Sequence, residues 1–524
     1  MIPAPSLTET WTVSKPAVAS AGGLVASQHH LASQAGARVL AQGGNAVDAA
    51  VAASLLIGTV EPWMSGLGGG GYLLYHEAAT GRCHAVDFGM RAPAALDPAA
   101  YPLAGGGVDD DLFGWPSVVE DRNVHGPLAM AVPGYLAGVA SALERFGTRT
   151  LAQSLEPAIE SAEAGMVVDW FATLKIAAAA PLLARCEESA RTYLPGGFAP
   201  AGEWGGPVPR IELGRLAATL RRIAHAGWED FYRGDIARAI VADARAARSA
   251  LSAADLENYR ARVLQADACS YRGARVHTAS GLTAGPTLQR VLAHMEAGFA
   301  PGAAPDAAAY MAYANALLAG YEHRLARLGD ADETRAPSCT THLSVVDAQG
   351  NLVALTQTLL SVFGSKVMLP GTGILMNNGI MWFDPRPGRP NSIAPGKRPL
   401  SNMCPVVVER GDGLRFAAGA SGGRRIMASV MQILSFLVDY RMSVDAAVHQ
   451  PRLDVSGTPW VTCFESLDRG IVEHLATRHR VRREPNAVYP ALYACPNVVA
   501  RDERAGTSEG GAFIMSPWAS VAAQ

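Results

Sequence analysis

The sequence holds little that points outward. Only 17% of its 524 residues are charged, the formal net charge is −3, and Lys and Arg are scattered rather than clustered. Without a basic stripe, neither nucleic acid nor an anionic membrane surface is expected as the main partner. Cysteine is sparse too: Cys83, Cys186, Cys269, Cys339, Cys404, Cys463 and Cys495 stand far apart, and no two form a CxxC. Such an odd, dispersed set reads as reduced thiols rather than a disulfide framework. No apolar run approaches the ~20 residues of a membrane span. The opening MIPAPSLTETWTVSKPAVASAGG lacks the basic and apolar regions of a signal peptide, so a soluble, cytoplasmic protein is expected.

Several chemical signatures are missing as well. The 13 histidines include no HExxH or HxH, and no Cys/His pairing has ligand spacing, so no metal site is expected. No GxSxG elbow marks a serine hydrolase. The glycine run Gly66–Gly71 is dense enough for a phosphate loop, but it follows a helical pattern and opens a strand, the reverse of a dinucleotide loop. Close backbone packing near a site is the better reading. No cofactor is implied.

What is present is a large apolar fraction, 49%, arranged in a clear order. Two helical patterns follow an early strand, the second being NAVDAAVAASLLIGTV with Asn45 placed as its N-cap. Two strands come after the glycine run. Helical patterns dominate from about Gly134 to Arg262, with Ser252–Asp255 as a capping box. From Thr340 onward the texture is β-rich, followed by the helix RRIMASVMQILSFLVDY. Strands early, helices in the middle and strands late predict sheets from both ends packing together between helices.

The stretch SCTTHLSVVDAQGNLVALTQT, Ser338–Thr358, reads as a β-hairpin with its turn at Asp347–Asn351. It has a plain reading, hydroxyls on a wet strand face, and a chemical one. Backbone cleavage before Thr340 would place a new α-amine beside that residue's own hydroxyl. An α-amine with a pKa near ~7.7–8 is partly neutral at cell pH and can act as general base without a histidine. A shifted cut would give Cys339 or Thr341 the same role. A second feature is Gly419-Ala420-Ser421-Gly422-Gly423-Arg424, between a strand and a helix. Two glycine N–H groups at such a turn suit an oxyanion hole, though a simple connecting loop has the same composition.

The ordered set GGNAVDAAVAA, GLGGGGY, PAIESAEAG, FYRGDIARAI, LSAADLENY, RLGD, TTHLSVVD, GKRPLS and SGGRRI resembles the gamma-glutamyltranspeptidase superfamily of N-terminal nucleophile hydrolases, over about residues 23–455. The resemblance implies an α+β fold, a four-layer αββα sandwich formed jointly by two autoprocessed chains, residues 1–339 and 340–524. Cleavage would fall between Cys339 and Thr340. Thr340 would be the nucleophile, Thr358 the threonine that positions it, Gly422 and Gly423 the oxyanion glycines, and Ser401 the first of two substrate-binding serines. The partners implied are a small-molecule amide substrate and the two chains of one precursor; pairing into a homodimer is left open.

The departures concern substrate recognition. Where the family's DFRE-type segment carries a carboxylate-binding arginine, Asp87-Phe88-Gly89-Met90-Arg91 has glycine, with Arg91 displaced by about 6–7 Å along a strand. The expected asparagine after the second threonine is Leu360. After Asn377-Asn378, the expected glutamine and ammonium-binding aspartate fall on Gly379 and Trp382, leaving Asp384 as the nearest carboxylate. The second serine is Asn402. The catalytic set thus looks kept and the glutamyl-recognition set largely replaced. Two substrate classes follow: γ-glutamyl compounds such as glutathione, or another small amide whose carboxylate is held by Arg91 or Arg424. An uncleaved, non-catalytic homologue binding a small metabolite is the alternative.

Overall fold

A computed structural model describes residues 13–108, 115–324, 328, 339–455 and 460–524. The RLGD stretch, Leu328 apart, and the side chain of Cys339 lie outside the described residues. The expected sandwich is present, built on two antiparallel sheets of seven strands each. In chain order their strands are β1 (Val18–Ser20), β2 (Leu24–Ser27), β3 (Gly70–Glu77), β4 (Arg82–Phe88), β5 (Arg262–Gln265), β6 (Asp267–Tyr271), β7 (Ala274–Thr278), β8 (Cys339–Val346), β9 (Leu352–Leu360), β10 (Val406–Glu409), β11 (Leu414–Ser421), β12 (Cys495–Asp502), β13 (Thr507–Ala512) and β14 (Ser520–Ala523). One sheet runs β1-β13-β12-β11-β10-β7-β6 and the other β14-β2-β8-β9-β3-β4-β5. The central hairpin β8–β9 therefore lies between β2 and β3, both from the first 80 residues of the chain.

Alternation along the strands makes the layers. From β8 and β9, Leu343, Val345, Val353 and Leu355 face outward into a core shared with the helices His30–Ala41 and Ala46–Val60. Val346, Leu352 and Ala354 point the other way, against Val407, Ala417 and Val499 of the opposite sheet. That second sheet turns Val406, Val408, Phe416 and Ala418 toward the helices Gly285–Gly298, Ala307–His323 and Arg425–Val438. Each fully buried Val, Leu or Phe among them contributes on the order of 1.5–3 kcal/mol.

Local chemistry sets the connections. Asn45 caps the helix Ala46–Val60 in a reciprocal box with Asp48, as its position in the sequence predicts. Asp347 closes the β8–β9 turn, accepting from Asn351 N at 2.9 Å, and its other oxygen accepts from Ala46 N at 3.0 Å. The hairpin and the buried helix are thereby tied together. The RPLSN segment, Arg398–Asn402, is a loop that precedes β10. Among the described residues, no helix is long and apolar enough to cross a membrane.

Candidate active site

At the start of β8 the register slips by one residue: Cys339 faces Leu360, while Thr341 faces Gln357. This bulge turns the buried Thr340 toward Thr358, with 3.5 Å between the two hydroxyl oxygens. Thr358 Oγ1 also accepts from Leu360 N at 2.7 Å. Leu360 holds φ at 88°, a left-handed conformation that costs a non-glycine residue about 1–2 kcal/mol. On the far side, Thr358 pairs with Gly70 and Thr356 with Tyr72. A Cβ on Gly69 would lie 2.4 Å from Thr358 O, and one on Gly71 would lie 2.3 Å from Thr356 O. The glycine run therefore serves close backbone approach to this hairpin.

A hydrogen-bond chain leads from Thr341 to the glycine turn. Thr341 Oγ1 lies 3.1 Å from Gln28 Oε1, and Gln28 Nε2 donates to Ser421 Oγ and, at 3.2 Å, to Cys495 O. Gln28 Oε1 can only accept, so Thr341 donates to it and has lone pairs left for Glu61 Oε2, 3.3 Å away. Burial pushes the Glu61 carboxyl up to about 8, opposed by Lys175 and by the Thr341 hydroxyl. A protonated Glu61 is the form that can donate to Thr341. Gln28 and Glu61 were not singled out in the sequence; a lone carboxylate between a buried helix and a glycine run was the available signal for Glu61.

Ser421 ends β11, and Gly422 and Gly423 follow with φ of 134° and 60°, both in glycine's territory. The helix Arg425–Val438 begins at once, so the turn sits at a helix N-terminus. Arg424 is buried, with its guanidinium carbon 5.9 Å from the Trp115 ring centroid; Arg386 lies over the same ring at 6.0 Å.

The recognition loop is differently occupied. Asn378 Nδ2 donates to Val124 O at 2.9 Å and Ser361 Oγ at 2.7 Å, and its Oδ1 accepts from Ser361 N at 3.0 Å. Trp382 is 3% exposed and packs with Ile380, Met381 and Phe383 in the core between the sheets. Asp384 is buried and already paired with Arg386, Nη2 to Oδ2 at 2.9 Å. Ser401 and Asn402 are buried on the loop before β10, where Arg324 donates to Ser401 O at 2.6 Å and Asn402 Oδ1 at 3.2 Å. Burial lowers that guanidinium to about 10. Nothing in the sequence marked Arg324.

Arg91 is exposed, its Nε donating to Gly396 O at 2.7 Å. The position two residues earlier has no room for a side chain, since a Cβ on Gly89 would lie 2.7 Å from the Tyr72 hydroxyl. Arg398 fills that neighbourhood, donating to Gly89 O at 3.0 Å and Asp87 Oδ1 at 3.1 Å. The structure thus sets Thr340 against Thr358, and links the neighbouring Thr341 to Ser421 at the head of the glycine turn through Gln28. It commits Asn378, Trp382 and Asp384 to packing and pairing.

A four-layer sandwich with a hydroxyl residue at the head of a central strand defines the class of N-terminal nucleophile hydrolases. The gamma-glutamyltranspeptidase profile matches residues 32–339 and 332–494, and the chain belongs to that family. It is 35% identical over 522 residues to an Acylase ACY 1 proenzyme from Pseudomonas sp. (strain V22), covering 92% of this chain and 91% of that one. A glutathione hydrolase proenzyme from Pseudomonas sp. (strain A14) is 30% identical over 505 residues, 86% of this chain and 84% of its own. The crystal structure of cephalosporin acylase from Bacillus halodurans superposes with a TM-score of 0.84 at 25% identity, covering 100% of this chain and 99% of that one. The protein is therefore an amidohydrolase or acyltransferase of this family.

Proposed function

We propose that cleavage between Cys339 and Thr340 yields chains 1–339 and 340–524, and that Thr340 is then the nucleophile. Its α-amine takes the hydroxyl proton as Oγ1 attacks the substrate carbonyl carbon. The N–H groups of Gly422 and Gly423 carry the oxyanion. Collapse expels the amine, which leaves with that proton, and water resolves the Thr340 ester. The 3.5 Å approach of Thr340 to Thr358 across the bulge carries this reading.

The preferred acyl group is a small one bearing a carboxylate and no α-ammonium. A substrate ammonium needs an acceptor or counter-ion when buried, or several kcal/mol of binding are lost. Trp382 offers none, Asp384 is paired with Arg386, and both ends of the Asn378 amide are engaged. Arg424, adjacent to the glycine turn, is the better carboxylate holder than the exposed Arg91.

The test joins a denaturing gel to a substrate screen. Two fragments matching 1–339 and 340–524, and faster turnover of dicarboxylic monoamides than of γ-glutamyl compounds, are expected. Thr340→Ala should remain full-length and inactive. A processed and active Thr340→Ala would move the role to Thr341 or Cys339, and a γ-glutamyl preference would overturn the substrate reading.

A further inference from the structure

Far from the threonines, three ligand-type side chains from three strands meet between the sheets. His76 comes from β3, His277 from β7 and Glu409 from β10, and their donor atoms all lie within 4.8 Å of one another. We propose that His76, His277 and Glu409 form a binding site for a divalent transition-metal ion of the zinc class, which clips the two sheets together.

The donor set is the first argument. Two imidazoles and one carboxylate are a recognised zinc constellation, with bonds of about 2.0–2.2 Å and a fourth position left for water. In a tetrahedron with such bonds the ligand atoms stand about 3.3 Å apart. Here His277 Nε2 is 2.8 Å from Glu409 Oε1, and His76 Nε2 is 3.4 Å from Glu409 Oε2. Small side-chain rotations complete the geometry.

The second argument is what the cluster leaves unmet. His76 is fully buried, yet neither of its ring nitrogens makes a hydrogen bond of acceptable geometry, and Nδ1 of His277 is also without one. Unmet buried nitrogens are costly, and a pair of imidazoles sharing one carboxylate does not satisfy them. An ion bound to both Nε2 atoms would occupy one of these sites, His76 Nε2, and would take over the contact between His277 Nε2 and Glu409. Glu409 supplies the third donor, its Oε1 2.8 Å from His277 Nε2. Its side chain remains 25% exposed, which gives an ion a way in.

The location assigns the ion a structural task. His76 pairs with Leu352 of β9, six residues from Thr358 and so about 20 Å away along the strand. His76 and His277 precede Thr340 and Glu409 follows it. If the processing reading holds, the ion also ties the large chain to the small one. Sequence spacing could not show this site, because the ligands come from three separate strands.

Chelator-treated full-length protein, wild type and Thr340→Ala alike, would be titrated calorimetrically with Zn²⁺ and with Co²⁺. One equivalent should bind both proteins, so a failure of processing leaves the metal result readable. Cobalt should show the visible bands of a four-coordinate site. His277→Ala and Glu409→Gln should bind more than about a hundredfold more weakly, since losing an outer-shell partner alone costs 10–100-fold. His84→Gln, on the neighbouring strand, should bind as wild type does. Zinc should raise Tm in wild type and not in Glu409→Gln, which keeps the test readable if one variant folds poorly. Chelation should leave turnover unchanged. Absence of stoichiometric binding, equal binding by Glu409→Gln, or loss of turnover on chelation would each overturn the assignment.

Discussion

Thr340 and Thr358 face each other across a one-residue bulge, hydroxyl oxygens 3.5 Å apart, and Thr358 is itself fixed by the N–H of Leu360 at 2.7 Å. The second threonine is thus a positioning group: it orients one hydroxyl while a strained neighbour orients it. Thr358→Val keeps the volume and removes both contacts. Processing and turnover should slow by about a hundredfold, the low end of what a positioned proton-transfer arrangement supplies. Gel densitometry over time and kcat measured separately from KM check this. A rise in KM alone would assign Thr358 to substrate binding instead.

The Glu61–Thr341 contact predicts a pH dependence. The carboxyl has an ordinary value of 4.5 and is pushed up to about 8 by burial, so the folded state binds a proton that the unfolded state has released between those values. Stability is therefore fully present below about pH 4.5 and falls as pH rises toward 8. Glu61→Gln keeps a donor for Thr341 and removes the titration. Its Tm should exceed that of wild type near pH 8, by an amount on the order of a few kcal/mol in stability, and the two should converge near pH 5. Thermal melts across that range, made in the Thr340→Ala background so that processing does not intervene, would show parallel curves if Glu61 is not the source.

Trp382→Asp tests whether a missing ammonium partner alone excludes γ-glutamyl substrates. The indole lies in the core between the sheets, so the substitution buries a carboxylate among Ile380, Met381 and Phe383. A loss of several kcal/mol in stability is expected, with no gain in γ-glutamyl anilide hydrolysis. A stable variant with improved γ-glutamyl turnover would mean that the loop opens readily and the recognition set was one residue from restoration.

Much of this architecture was legible because it is local. Asn45 and Ser252 announce helix starts, Asp347–Asn351 announces a turn, and strand alternation separates the two faces of β8 and β9. The glycine run was legible only as a need for closeness; what it approaches, the Thr356 and Thr358 carbonyls, comes from strand pairing. Arg324, Gln28 and the His76–His277–Glu409 cluster were not legible at all. Each acts across a long stretch of chain, 78 residues from Arg324 to Asn402 and 313 from Gln28 to Thr341, where sequence spacing carries no information about distance. Asp384, the nearest carboxylate to the position of the expected aspartate, is paired locally, with Arg386 two residues away.

The two glycines of the Ser421–Gly423 turn should respond differently to alanine, because the proposed donors are backbone N–H groups that alanine retains. At Gly422 a Cβ would lie 2.7 Å from Ala494 Cα and 2.9 Å from Ala494 Cβ, with φ at 134°. The turn must move against β12, carrying its N–H away from the site. Gly422→Ala should lose both Tm and most of kcat, at a cost of about 1–3 kcal/mol in stability. Gly423 has φ of 60°, a conformation alanine can reach for about 1–2 kcal/mol. Gly423→Ala should melt lower yet keep most of its turnover, since its N–H stays in place. Melting curves and kcat on the same preparations separate the cases. A Gly423→Ala protein with unchanged Tm and no turnover would mean that the site needs the empty space beside Cα, and not the N–H.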